Sequence, residues 1–411
     1  MARVRPPAGA AAVNVVFAHP ELGLGGAERL VLDAAMELRA RGHRIVLLTT
    51  RCDPARAFPE AADGSLDVRV HGRGLPAQIA GRLRAPCAVA RMAWLSVALR
   101  RLEERPDVVI CDLVAHVIPL LRRAARAPVV LYCHHPDRFL APSAEGAMRW
   151  YRGPIDRLEE KGTAVADRVL VNSEFTARRM REAFPRIVVS PSVVYPGVAP
   201  SDCPELPDEP PPGPVVVLTV GRFAPQKRPQ LAVDALAALR GRLAAPAFAR
   251  VRLVLAGGYD ARLREQRETV ATLEERIRTH GLAEQVELRL SPSEDERRAL
   301  LARCRVLVHT QPDEHFGYAP VEAMAAGRPV IAIASGGPAE TVGDGETGVL
   351  CTSTGDAIAD AMARLLTDHE AAARMGRAGR ARVTARFSRA TFGARLEAVL
   401  REVVAERRSA T

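Results

Sequence analysis

The stretch YPGVAPSDCPELPDEPPPGP, Tyr195–Pro214, decides how the chain is organised. Eight of its twenty residues are proline, which lacks a backbone N–H and fixes φ. Such a run can hold neither a helix nor a central strand, so it reads as a linker. The same pattern stands on both sides of it. Ahead of the linker, short apolar runs at Val13–Ala18, Arg44–Thr49, Val108–Asp112, Val129–Cys133, Arg168–Val171 and Ile187–Val189 read as strands. Helical patterns lie between them, notably Ala27–Arg41 and Phe175–Ala183. Beyond the linker the strands read Val215–Val220, Arg252–Ala256, Val286–Leu290, Val306–Thr310, Val330–Ile333 and Gly348–Cys351. Helices fall at Pro229–Arg242, Leu263–His280, Glu294–Arg303, Pro320–Ala326, Asp356–Leu366 and Ala390–Arg407.

Near-continuous Val, Ile and Leu runs suit parallel strands covered on both faces. Two blocks of alternating strand and helix therefore imply an α/β chain of two facing, doubly wound domains. Residues 1–197 form the first, 198–214 the linker and 215–388 the second. Residues 389–411 form a last helix that crosses back to the first domain. Ligands of such sheets bind beyond the carboxyl ends of the strands, so the active site is expected in the cleft between the domains.

The 411 residues are 48% hydrophobic and 26% charged, which is ordinary for a globular protein. The formal charge of +10 is uneven: +9 falls in residues 1–200 and +1 in the remainder. A basic first half favours an anionic partner such as a membrane surface or a pyrophosphate-linked acceptor. No aromatic-interleaved basic cluster supports nucleic acid. The seven cysteines are scattered singly with no C-x-x-C, which argues against zinc and against a disulfide framework, and suits a reducing compartment. Met1–Ala12 lacks the apolar core of a signal peptide. Pro86–Leu102 holds an uncharged run of only eight residues, Met92–Leu99, too short to span a bilayer. It reads either as an interfacial helix or as a core helix of the first domain.

The candidate chemistry collects at predicted strand ends. Glu314-His315-Phe316-Gly317-Tyr318-Ala319-Pro320-Val321-Glu322 sets two carboxylates eight positions apart across the start of a helix. Pro320 suits a first helical turn, which places Glu322 in that turn and Glu314 on the loop ahead. Phe316 and Gly317 lie between, where free N–H groups favour an anion. After Val215–Val220 come Arg222 and Lys227, two cations able to grip a diphosphate from two sides. Lys227 is one of only two lysines among 58 basic residues, so its compact ammonium invites a specific role. Gly25 and Gly26 open the helix after the first strand and permit close approach of a ligand. His134 and His135 follow the strand Val129–Cys133, where a histidine can bond a sugar hydroxyl or ease proton movement. Ala334-Ser335-Gly336-Gly337 is a further glycine-rich loop.

Together these residues resemble the retaining family-4 glycosyltransferases of GT-B fold, whose two domains are Rossmann-like. Glu314 and Glu322 fit that family's E-x7-E motif. Within the family, HPELGLGGAERLVLDAA, YCHHPDRFL, VNSEFTA and DEHFGYAPVEAMAAGRPVIAIASGGPAETV are similar to the α-1,3/α-1,6-mannosyltransferases of dolichol-linked oligosaccharide assembly. The resemblance implies GDP-mannose as donor, a lipid-pyrophosphate oligosaccharide as acceptor, and no cofactor or metal. It implies work at the cytosolic face of the endoplasmic reticulum, or at the inner membrane surface of a bacterium, in complex with other mannosyltransferases. It also implies roles. Glu314 accepts from donor-sugar hydroxyls, Glu322 holds the ribose, and Arg222 and Lys227 bind the diphosphate. His134 lies beside the sugar, and Gly25 and Gly26 lie near the phosphates or acceptor. A relative acting on another lipid-linked or soluble acceptor shares every donor motif. A sugar-nucleotide epimerase or hydrolase, or a non-catalytic scaffold, are the other classes to weigh.

Overall fold

The computed structural model describes residues 11–76, 78–79, 83–140, 147–199 and 213–409. The chain forms two compact units, Met1–Gly197 with Arg389–Thr411, and Val198–Ser388. The proline-rich residues 200–212 of the linker lie outside the described residues. Val198 is described, and its N–H donates to the Phe387 carbonyl at 2.9 Å within the second unit.

The first unit is built on a parallel sheet of β1 (Asn14–His19), β2 (Arg44–Thr49), β3 (Asp67–Val70), β4 (Val108–Asp112), β5 (Val129–Cys133), β6 (Arg168–Val171) and β7 (Ser192–Val193). Its order is β3-β2-β1-β4-β5-β6-β7. Alternate residues of a strand face opposite sides of the sheet, and both sides are apolar here. Val15 and Phe17 point to α1 (Gly26–Ala40) and α15 (Arg389–Ser409), where they meet Leu38, Leu396 and Leu400. Val16 and Ala18 point the other way, to Met92, Leu95 and Leu99 of α2 (Arg84–Arg100) and Leu121 of α3 (Ile118–Ala125). A helix layer on each face is what makes the strands read as unbroken apolar runs. Two polar ties hold α15 in this unit: Glu397 accepts from Arg41 at 3.3 Å and from His43 Nε2 at 3.1 Å. Close packing adds to them, since a Cβ on Gly393 would stand 2.6 Å from that of Glu37. α4 (Asp137–Leu140), α5 (Ala147–Ala164) and α6 (Glu174–Ala183) complete the unit.

The second unit has a six-stranded parallel sheet in the order β10-β9-β8-β11-β12-β13. The strands are β8 (Val215–Val220), β9 (Val251–Gly257), β10 (Val286–Leu290), β11 (Cys304–His309), β12 (Val330–Ile333) and β13 (Gly348–Cys351). α7 (Gln230–Leu239), α8 (Ala245–Ala249), α9 (Arg264–Thr279), α10 (Glu294–Arg303), α11 (Tyr318–Ala325), α12 (Pro338–Thr341), α13 (Gly355–Thr367) and α14 (His369–Arg386) surround it. In each sheet the strand order reverses direction beside the first strand, at β1/β4 and at β8/β11. The carboxyl ends of those strands are where doubly wound sheets take ligands.

Several expectations need correction. Ile187–Val189 is not a strand; Val188 is 95% exposed, and the edge position is taken by the two-residue β7. The prolines at 185 and 191 bracket a segment that cannot pair along its length. α11 begins at Tyr318 rather than Pro320, which places Glu322 in its second turn, not its first. α14 was not anticipated, because Gly376 and Gly379 lower its helical propensity. Both glycines serve packing: a Cβ on Gly376 would stand 2.1 Å from the Gly327 carbonyl oxygen, and one on Gly379 would press on Met324 at 3.1 Å. For α2 the core-helix reading holds on one side. Met92, Leu95 and Leu99 are core, while Trp94 is 48% and Val97 36% exposed on the opposite side. Among the described residues no helix is long and apolar enough to cross a membrane.

Candidate active site

In the second unit, β8 and β11 end side by side and the loops after them carry the charged groups. β8 leads through Gly221 and Arg222 into a single turn of 3-10 helix, Pro225–Lys227. Gly221 lies directly under β9: a Cβ on Gly257 would stand 1.8 Å from the Gly221 carbonyl oxygen, so no larger residue fits at that crossing. β11 delivers His309, then Thr310, whose hydroxyl donates to the Lys227 carbonyl at 2.7 Å and ties the two loops together. The ammonium of Lys227 reaches Glu314 Oε2 at 2.5 Å. The Glu314 side chain is 16% exposed. Burial alone would push its carboxyl up. Lys227, with His309 adding, outweighs burial and holds it at about 2. His309 is the converse case. Burial drives its pKa down to about 4, Lys227 repels the charged form, and Glu314 compensates only in part. Its Nε2 is 3.9 Å from Glu314 Oε2 and has no hydrogen-bond partner among the described residues. Thr219, Gly221, Arg222, Lys227, His309 and Gln311 all face one cleft. Arg222 is exposed, its side-chain stem lying next to Gly258.

The Glu314 loop is held by the glycine pair after β12. The Gly337 N–H donates to the Glu314 carbonyl at 2.6 Å, and the Asp313 N–H donates to Ser335 Oγ at 3.0 Å. The approach is so close that a Cβ on Gly336 would meet the Glu314 carbonyl oxygen at 2.4 Å, and one on Gly337 would meet Phe316 Cα at 2.5 Å. Gly336 also has φ +67, in the left-handed region. Phe316 is buried, packed edge-on to Tyr318 and Phe387. Gly317, at φ +91, turns the chain into α11. Glu322 Oε2 accepts from Arg297 of α10 at 2.5 Å, and Arg297 also pairs with Glu294. Burial opposes the charge of Arg297, but Glu322 and Glu294 raise its pKa all the same.

In the first unit, β1, β4 and β5 bring three polar side chains to adjacent strand ends. Asp112 is fully buried. Its Oδ2 meets His19 Nδ1 at 2.8 Å and its Oδ1 meets His134 Nε2 at 2.8 Å. Burial works against the carboxylate, yet the two rings together hold its pKa at about 2. His19 is moved upward, Asp112 outweighing burial. The Asn172 amide donates to the His134 carbonyl at 3.3 Å, which ties the backbone of the loop as well. His135 turns away, its Nδ1 at 3.1 Å from the Pro136 carbonyl. Gly25 precedes α1 and Gly26 opens it, and the Glu28 carboxylate folds back to where a Gly25 Cβ would stand, 2.2 Å away. Among the described residues no group of three or more His, Cys, Asp and Glu is arranged to hold a metal ion.

The comparisons with known proteins agree along most of the chain. The model described as Glycosyltransferase Family 4 matches residues 24–202, and that described as Glycosyl transferases group 1 matches residues 207–382. The alpha-1,3/1,6-mannosyltransferase ALG2 of Homo sapiens is 40% identical over 390 residues, covering 92% of this chain and 93% of that protein. The protein of the same name from Rhizomucor pusillus is 36% identical over 95% of this chain and 92% of its own length. The chain belongs to the ALG2 family of α-1,3/1,6-mannosyltransferases. Among solved structures, sucrose-phosphate synthase from Thermosynechococcus elongatus has a TM-score of 0.76 at 20% identity, over 96% of this chain and all of that one. Anabaena HepE, solved with UDP and glucose, has 0.71 at 21% identity over 94% and 99%. At these identities they establish the GT-B fold.

For this ALG2-family enzyme, the structure joins Lys227 directly to Glu314 and places Arg222 on the same cleft. Phe316 and Gly317 carry the turn from Glu314 to Glu322, whose carboxylate is engaged by Arg297. Gly25, Gly26 and His134 belong to the first unit. Sequence reasoning gave no role to His19, Asp112, His309 or Arg297. Asp112 had one signal, a carboxylate closing the apolar run VVIC at a strand end. Arg297 had none, since it is one of many arginines on an exposed helix.

Proposed function

We propose that this enzyme transfers mannose from GDP-mannose to a lipid-pyrophosphate-linked Man1GlcNAc2 acceptor, forming an α-1,3 and then an α-1,6 bond. The observation that carries this reading is the identity of 33–40% to relatives from animals, fungi and an amoeba that share one name, alpha-1,3/1,6-mannosyltransferase. The Lys227–Glu314 pair at the second sheet's strand ends supplies the chemistry. Lys227 and Arg222 meet the diphosphate, so charge growing on the departing GDP is neutralised by fixed cations rather than by a bound metal. Glu314 accepts from donor-sugar hydroxyls and offsets positive charge at the anomeric carbon. Glu322 holds the ribose. His134 contributes to the sugar from the first unit, where Gly25 and Gly26 leave room for phosphate or acceptor. The anomeric carbon–oxygen bond to GDP breaks, and the acceptor oxygen takes its place on the same face. The acceptor proton passes to the leaving diphosphate.

The exposed side of α2, with Trp94 and Val97 above Arg100 and Arg101, suits contact with an anionic membrane surface, which fits a lipid-linked acceptor at the cytosolic face of the endoplasmic reticulum. The test is transfer in detergent and EDTA from GDP-mannose to synthetic lipid-pyrophosphate carrying the one-mannose chitobiose core. Two mannoses added in two linkages is the expected product. A folded, GDP-binding protein that adds none refutes this acceptor.

A further inference from the structure

Asp112 belongs to no motif, yet it is fully buried and hydrogen-bonded through both of its carboxylate oxygens. It lies at the end of β4, where the strand order reverses, fully buried between two histidines from the neighbouring strands. We infer that Asp112 is a positioning residue: gripped from its other side by His19, it fixes the ring of His134 in one tautomer, with the proton on Nε2 and the lone pair of Nδ1 presented to the sugar.

The argument follows from hydrogen-bond inventory. An ionised carboxylate has acceptors only. Asp112 is held in that form, so each ring nitrogen 2.8 Å from it carries the proton. On His134 that nitrogen is Nε2. In the neutral ring Nδ1 is then the acceptor, and it has no partner among the described residues. His19 matters because it occupies the second carboxylate oxygen; without it Asp112 could rotate and offer either oxygen to His134. His19 is itself 1% exposed, so its ring is held in place against Asp112. The loop is fixed independently, through Asn172 on the His134 carbonyl. Ring and backbone are thus clamped by different elements, as a site requires when one side chain must present one atom.

The inference rests on His134 acting in transfer, and the experiment separates the two. Transfer rates are measured for His134→Ala, Asp112→Ala and the double variant, with GDP affinity alongside. A loss of about 100-fold is expected for His134→Ala and at least about 10-fold for Asp112→Ala, the double variant being no slower than His134→Ala. GDP affinity, proposed to reside in the other unit, stays at the parental value. Losses that multiply in the double variant, or an Asp112→Ala enzyme at the parental rate, overturn the inference alone. A fully active His134→Ala overturns the reading of His134 itself. If Asp112→Ala does not fold, the parent decides: long-range proton–nitrogen NMR on histidine-labelled enzyme, with His134 assigned from its loss in His134→Ala. An Nε2–H ring is expected there, and an Nδ1–H ring overturns the inference.

Discussion

Lys227 Nζ stands 2.5 Å from Glu314 Oε2, joining side chains 87 positions apart at the ends of two neighbouring strands. Both are mostly out of water, 23% and 16% exposed. Removing one partner of such a pair leaves the other charge uncompensated, which costs more than the pair itself contributes. The arrangement therefore fixes the ionisation of Glu314 and the location of the Lys227 ammonium before any ligand arrives.

Lys227→Ala is expected to lower transfer by about 100-fold or more and to let the Glu314 carboxyl titrate upward. The pH dependence of stability reports the second effect. The folded-state pKa of Glu314 is depressed, from 4.5 to about 2, so its contribution is complete above 4.5 and is lost as pH falls towards 2. The parent should lose this increment of denaturant stability as pH falls from about 4.5 to about 2, and Lys227→Ala should not. Identical pH profiles for the two proteins would refute the coupling.

His309 gives a separate window with the same direction. Its folded pKa is lowered from 6.5 to about 4, so between those values the unfolded chain takes a proton that the folded one resists. Stability then falls as pH is lowered through that range and is unaffected above it. His309→Gln, which cannot titrate, should flatten the urea midpoint between pH 7 and pH 4.5. Retention of the parental slope would show that some other group carries it.

The glycine pair after β12 sets the height of the Glu314 loop. Gly337→Ala places a methyl 2.5 Å from Phe316 Cα, in contact with backbone that cannot rotate away. We expect destabilisation of about 1–3 kcal/mol and a drop in GDP affinity, because the loop must lift. Gly343→Ala is the control: its Cβ would meet side chains and no backbone, the flexible Glu346 carboxylate at 3.0 Å, the Glu346 Cβ at an ordinary 3.4 Å and the Thr347 hydroxyl at 3.7 Å. Equal effects at both positions would argue for general strain rather than for this loop.

Arg297 fastens Glu322 to α10 and competes with whatever else that carboxylate binds. Arg297→Met should leave the side-chain stem packed while releasing the carboxylate. Loss of a charged hydrogen bond of this kind corresponds to about 1.5–3 kcal/mol, so KM for GDP-mannose should change by about 10-fold or more, with kcat little altered. A change confined to kcat would detach Glu322 from donor binding.

The fold was legible because both units obey one rule, apolar strands alternating with amphipathic helices, and because the proline run breaks that alternation once. What escaped reading depends on contacts the chain does not announce. α14 hides behind Gly376 and Gly379, whose poor propensity is overruled by the close crossing they allow on Gly327 and Met324. Glu314 and Lys227 were visible as motif residues, but their direct pairing follows only from β8 and β11 being neighbours across 87 positions. Asp112 was read as a strand end and given no chemistry. Its meaning appears when β1 and β5 place a histidine on either side of it.

The outer side of α2 gives the last prediction. Ala90, Trp94, Val97 and Arg101 recur at helical spacing and all are exposed, while Met92, Leu95 and Leu99 between them are core. A stripe that is apolar, exposed and ended by arginines has no reason to be apolar unless something covers it. Trp94→Ser with Val97→Ser should leave the thermal midpoint within a few degrees, since neither side chain is in the core. The double variant should bind vesicles of phosphatidylcholine with one-fifth phosphatidylserine about 10-fold more weakly. Arg100→Gln with Arg101→Gln should instead flatten the salt dependence, because those residues supply attraction to anionic headgroups rather than burial. Unchanged vesicle binding in both variants would move any membrane contact away from α2.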